Sequence, residues 1–142
     1  MTKLTDIVGL AIASLVLTIA STPGAYAQAL RKIAIANECS RPIQMIVYSA
    51  NSYHNWQPHG WYQFVANDPY SYVRTKGVIL TQLEDHDLYF YAETTDGQAV
   101  LRWQDTSGAS VNVEYQGGTY RMIKAKTFLN EDGDTALRVT CP

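Results

Sequence analysis

Leu88-Tyr89-Phe90-Tyr91-Ala92-Glu93-Thr94, followed at once by Thr95-Asp96-Gly97-Gln98, decides the fold class. Aromatic and β-branched side chains suit a pleated, half-buried strand. Asp-Gly suits a tight hairpin turn, because both residues accept positive φ. Ala99 to Trp103 is therefore expected to return as the partner strand.

The same grammar extends in both directions. Toward the C-terminus, Val111, Val113 and Tyr115 alternate with Asn112 and Glu114, which puts the three apolar residues on one face. Gly117-Gly118 separates that run from Thr119–Ala125. Asn130-Glu131-Asp132-Gly133-Asp134 reads as a last turn before Ala136–Cys141. Toward the N-terminus lie Gly77–Thr81, the weakly alternating Tyr70–Val73 and the turn Asn67-Asp68-Pro69. Ile43–Tyr48, opened by Pro42, is apolar on both faces and predicts a central strand. Ile33–Asn37 is the first run. No amphipathic helix interrupts the series. The reading is one all-β domain, an antiparallel β-sandwich or barrel-like fold of eight to nine short strands.

The first residues read as processing signal. Lys3 supplies a positive charge, Ile7 to Ala20 is apolar without charge, and Ala25-Tyr26-Ala27 places small residues at a signal-peptidase site. Residues 1–27 are expected to be a cleavable signal peptide, with the domain over 28–142. The apolar run is shorter than the roughly 20 residues that span a bilayer, so no membrane-embedded segment is expected after cleavage. A periplasmic or secreted location follows.

Lys and Arg are scattered, and the net charge is −2. A chain without a basic stripe is a poor reader of phosphates, so no nucleic-acid partner is expected. The two cysteines, Cys39 and Cys141, are an even pair in an exported chain and predict a disulfide. Ile33 and Ile35 share strand parity with Cys39, as Leu137 and Val139 do with Cys141, so each sulfur is expected to face the core.

One stretch concentrates contact chemistry: Tyr53-His54-Asn55-Trp56-Gln57-Pro58-His59-Gly60-Trp61-Tyr62. Pro58 and Gly60 predict a long loop, which runs into a short strand at Gly60-Trp61-Tyr62-Gln63-Phe64-Val65. Tyr53, His54, Trp56, His59, Trp61 and Tyr62 are the candidate ligand-binding residues, since aromatic rings stack while their polar edges hydrogen-bond. The competing assignment is packing, and by alternation only one of Trp61 and Tyr62 can face inward.

Three further features define the alternatives. His54, His59 and His86 would hold zinc or copper if they converged, but their spacing does not require it. Asp132-Gly133-Asp134 lacks the spaced acidic ligands of a calcium loop. Glu93 and Glu114 are a candidate acid and base, although each sits on the polar side of its alternation. There is no G-x-S-x-G, H-E-x-x-H or phosphate-binding glycine loop. No catalytic residue, metal or cofactor is assigned on this basis.

At Asn37-Glu38-Cys39, His59-Gly60-Trp61-Tyr62 and Tyr89-Phe90-Tyr91-Ala92-Glu93, the chain resembles a bacterial family of small exported domains known as domain of unknown function 1036. The resemblance covers most of the chain from Ile33 onward. It implies a β fold and an envelope location, with no activity to carry over. The chain departs from the family at Asn67-Asp68-Pro69-Tyr70, where a Pro-Gly turn and a cysteine are usual.

These readings lead to a non-catalytic binding or structural domain of the cell envelope, presenting the aromatic stretch to a partner protein or a glycan. The alternatives are a small envelope hydrolase using His86 or the Glu93/Glu114 carboxylates, and a histidine-based metal-binding domain.

Overall fold

The computed structural model describes residues 29–52, 54–104 and 109–142. The expected signal segment and Tyr53 lie outside the described residues. Twelve strands form among the described residues, and no helix. They are β1 (Leu30–Asn37), β2 (Ile43–Ala50), β3 (Trp56–Phe64), β4 (Asp68–Tyr72), β5 (Arg74–Thr75) and β6 (Val78–Ile79). The remainder are β7 (Thr81–Leu83), β8 (Tyr89–Thr94), β9 (Ser110–Tyr115), β10 (Gly118–Lys124), β11 (Thr127–Leu129) and β12 (Thr135–Val139).

Two five-stranded sheets form a sandwich, and β5 with β6 makes a two-stranded ribbon. In the first sheet β1 is central. It pairs with β12 on one side, with β11 beyond, while β4 and β7 divide its remaining length. The second sheet runs β3-β2-β8-β10-β9.

Strand alternation builds the core between the sheets. Ile33 and Ile35 of β1 and Leu137 and Val139 of β12 meet Ile43, Met45 and Val47 of β2, Phe90 and Ala92 of β8, and Ile123 of β10. All are buried. Each of the larger side chains, Ala92 excepted, contributes about 1.5–3 kcal/mol when it leaves water completely. Strand β2 is buried on both faces, because Ile46 on its far side joins Val113 and Met122 in a second cluster.

The all-β sandwich agrees with the sequence, and the details differ in four ways. The count is twelve because β5, β6, β7 and β11 are only two or three residues long. The sandwich is not wholly antiparallel, since β1 and β12 run parallel. Ala99–Trp103 is not a full strand: it follows β8 through an isolated Glu93–Arg102 bridge and the bonds Thr94 N–H to Leu101 O and Trp103 N–H to Ala92 O. Finally, the strand expected from Gly60 begins earlier, at Trp56, so Trp56–His59 are strand rather than loop.

That last difference has a physical cause. Strand β3 is the edge of its sheet, where proline is tolerated. Its register on β2 slips between Met45 and Val47, and Gly60 lies at the slip. A Cβ on Gly60 would stand 2.7 Å from the Met45 carbonyl oxygen, so a residue without a side chain is needed there.

The Cys39–Cys141 disulfide forms, with the Cα atoms 4.6 Å apart. Cys39 is buried as expected, while Cys141 as a whole residue is exposed. Buried Asn37 orients the approach to Cys39. Its Nδ2 donates to the carbonyls of Arg41 (2.9 Å) and Val65 (2.8 Å), and its Oδ1 accepts from the Cys39 amide (3.1 Å). The side chain thereby supplies partners to three backbone groups in a bend that no ladder serves.

Candidate binding face

The second sheet turns one face to the main core and the other away from it. On that other face strand register gathers aromatic rings. Tyr48 lies opposite Tyr89, and Ile46 opposite Tyr91. Ala50 lies opposite Trp56, and Tyr120 opposite Val113. Edge and tilted ring contacts follow from this placement, the geometry the aromatic quadrupole favours. Trp56 is 5.2 Å from Tyr48 and 5.9 Å from Tyr89, centroid to centroid. Trp61 is 5.3 Å from Tyr120 and 5.9 Å from Tyr91, and Tyr91 is 5.1 Å from Tyr120. All six rings are partly exposed; five of them, Trp56 excepted, pack with Tyr115 over a floor of Ile46, Val113 and Met122.

A polar cluster closes one end of this face. Glu93 accepts from Gln44 Nε2 (2.6 Å), from the Tyr91 hydroxyl (2.7 Å) and from Arg102 Nε (3.2 Å). Gln63 Nε2 donates to Gln44 Oε1 (3.3 Å). Partial burial alone would raise the Glu93 pKa. The bonds from Tyr91, Gln44 and Arg102 outweigh it, and the carboxyl stays below its ordinary range. Burial, reinforced by Glu93, pushes the Tyr91 hydroxyl up.

The six sequence-predicted residues do not form one surface. Tyr53 lies outside the described residues, and His54 is exposed in the turn before β3. Trp56 and Trp61 belong to the aromatic face. Tyr62 packs against the main core, and its hydroxyl is 2.8 Å from Thr75 Oγ1. Of Trp61 and Tyr62, then, only Tyr62 faces inward. His59 Nδ1 is hydrogen-bonded to the same Thr75 oxygen at 3.3 Å, and burial lowers its pKa. His59 lines a separate cavity of about 190 Å³ between β3 and the β5–β6 ribbon.

The alternatives fare as follows. His86 sits beside Trp56, ring centroids 5.7 Å apart, and bonds to Asp85 at 2.8 Å. Among the described residues no three His, Cys, Asp or Glu side chains gather as metal ligands. Glu93 and Glu114 are not a facing pair. Strand β10 separates their strands, and Glu114 lies on the opposite face from Val113, bonded by the Thr119 hydroxyl. Asp134 of the last turn accepts from the Tyr72 hydroxyl (2.7 Å) and the Lys32 amide (3.3 Å).

Sequence reasoning missed Tyr48, Tyr89, Tyr91 and Tyr120 as members of the face. The i, i+2 spacing of Tyr89 and Tyr91 signalled a shared face. Nothing local signalled that Tyr48, Trp61 and Tyr120 would join them.

No protein-family model matches the chain, and no curated protein or solved structure matches it. No helix among the described residues is long and apolar enough to cross a membrane.

Proposed function

We propose that the chain is an exported, non-catalytic binding domain of the bacterial cell envelope, periplasmic or secreted, and that its aromatic face takes an envelope glycan. One observation carries this reading: six partly exposed rings on one sheet face, ending at the Gln44–Glu93–Arg102 cluster. Sugar rings offer C–H faces to aromatic stacking and hydroxyls to planar polar side chains, and this face supplies both. The disulfide is consistent with an oxidising compartment, and the resemblance to domain of unknown function 1036 supports the envelope location. The separation of Glu93 from Glu114 speaks against the carboxylate-pair form of the hydrolase alternative.

The test is a two-dimensional NMR titration with envelope glycan fragments. Shifts clustered on Trp56, Trp61, Tyr91 and Tyr120 are expected. A silent aromatic face, with shifts produced only by added envelope proteins, would replace the glycan with a partner protein.

A further inference from the structure

The cavity of about 190 Å³ that His59 lines stands apart from the aromatic face. It lies between β2 and β3 on one side and the β5–β6 ribbon with Leu80 and Thr81 on the other. Its walls differ in chemistry. Val78, Ile79 and Leu80 make one of them apolar. The other is polar, built from Ser49, Asn51, Asn55, Gln57 and His59, and no Asp, Glu, Lys or Arg belongs to the lining. Strand register explains the polar wall. Gln57 lies directly opposite Ser49, and His59 opposite Val47, so these side chains share the inter-sheet side of β2 and β3.

Most of the polar groups are held in place by one another. Asn55 accepts from Gln57 Nε2 (2.9 Å) and donates to Asn51 Oδ1 (2.6 Å), which leaves Gln57 Oε1 as an acceptor and Asn51 Nδ2 as a donor. His59 is fixed through Nδ1 on Thr75, and burial keeps its imidazole neutral near pH 7. Ser49 differs. The residue is 2% exposed, yet its hydroxyl has no hydrogen-bond partner among the described residues. Every fully enclosed side-chain nitrogen or oxygen among those residues does have a partner, so Ser49 Oγ touches accessible space, and the space that Ser49 lines is this cavity. A nearly buried hydroxyl is costly to leave unbonded, and a ligand in the cavity would satisfy it.

We propose that this cavity binds a single neutral polyhydroxylated ring, a pyranose or a cyclitol, with its C–H face against Val78 and Ile79 and its hydroxyls on Ser49, Gln57 and His59. The volume equals roughly six waters at about 30 Å³ each, which admits one ring and not a chain. A lining without formal charge suits a neutral ligand, because an unpaired charge is expensive to desolvate. Entry is open: Asn51, Gln57 and Val78 are exposed, and His59 and Thr81 are partly so. The site does not rest on the glycan reading of the aromatic face, since Gln57 and His59 point to the opposite side of β3 from Trp56 and Trp61.

The experiment uses protein expressed as the full chain, with its N-terminus read by mass spectrometry. D-glucose, D-galactose, D-mannose and myo-inositol are titrated by two-dimensional NMR, with D-glucosamine, D-glucuronate and acetamide as controls. At least one neutral ring is expected to shift the Ser49, Gln57, His59 and Thr81 signals and to leave the indole N–H resonances of Trp56 and Trp61 in place. The charged sugars bind more weakly than their neutral counterparts. Ser49→Ala removes no existing hydrogen bond, so the fold is kept, and it is expected to weaken the ring roughly two- to tenfold. Thr81→Val, the same shape without the hydroxyl, should act in the same direction. The proposal is overturned if none of the four rings shifts these signals, which would make the cavity a site for water only. It is also overturned if the charged sugars or acetamide bind as well as the neutral rings, or if Ser49→Ala leaves affinity unchanged. Glycan binding is read separately, at the Trp56 and Trp61 indoles, and stands or falls on its own.

Discussion

Cys39 and Cys141 lie 102 residues apart, the same offset that pairs Ile35 with Leu137 and Asn37 with Val139 along β1 and β12. The disulfide therefore prolongs the parallel ladder by one more step of like parity. Parallel strands bring like ends together, so the two cysteines arrive side by side without a special loop. Removing the bridge by Cys39→Ala with Cys141→Ala is expected to cost about 2–5 kcal/mol, measured by urea unfolding. Alkylation without reductant, read by mass spectrometry, should leave both cysteines unmodified.

Gly60 separates backbone geometry from side-chain packing. Gly60→Ala sets a Cβ against a carbonyl oxygen, and backbone cannot step aside as a flexible side chain can. A loss of about 1–3 kcal/mol is expected, visible as a lower denaturation midpoint with unchanged slope.

Residues on opposite faces of β3 should respond in opposite ways. Trp56→Ala is expected to abolish glycan shifts while the amide spectrum stays folded. Tyr62→Ala removes a ring packed on the main core and is expected to cost about 2 kcal/mol or more, with glycan affinity kept in the folded fraction. Loss of fold in Trp56→Ala would make that ring structural.

Stability should fall with acid in two stages. Burial holds His59 below its ordinary value of 6.5, so the unfolded chain takes up a proton the folded one resists. That penalty begins as pH drops through about 6.5 and is complete below the folded value. Glu93 and Asp96 are both lowered, Asp96 to about 2 by Arg41. Their contributions are present above the unfolded carboxylate range, near pH 4, and are lost as pH falls through the folded values. Melting temperature against pH should show the first slope in the wild type and not in His59→Asn.

The sequence announces much of this arrangement and conceals a definite part of it. Turn residues and strand propensity expose the β class, and parity places Cys39 in the core. Alternation correctly divides Trp61 from Tyr62. What strand patterns do not encode is which strand lies beside which. The parallel match of β1 with β12 joins residues at opposite ends of the chain, so no local signal carries it. Pro58 and Gly60 look like loop residues until β3 is known to be an edge strand. The aromatic face depends on the order β3-β2-β8-β10, which brings Tyr48, Trp61, Tyr91 and Tyr120 together from four strands.

The central place of β1 also sets an order of events. Synthesised or threaded N-terminus first, residues 30–37 emerge about a hundred positions ahead of their partners at 135–139. Until the last strand arrives, one side of β1 stays an open template, exposed to any passing strand. Closure of the first sheet is thus a terminal step, and long-range pairing of this kind slows folding. A nascent chain stalled before Thr135 would keep the second sheet's local hairpins while lacking the layer that covers their apolar side. The strand β12 acts as the clasp of the first sheet, and deleting Thr135–Val139 should leave β1 without its parallel partner.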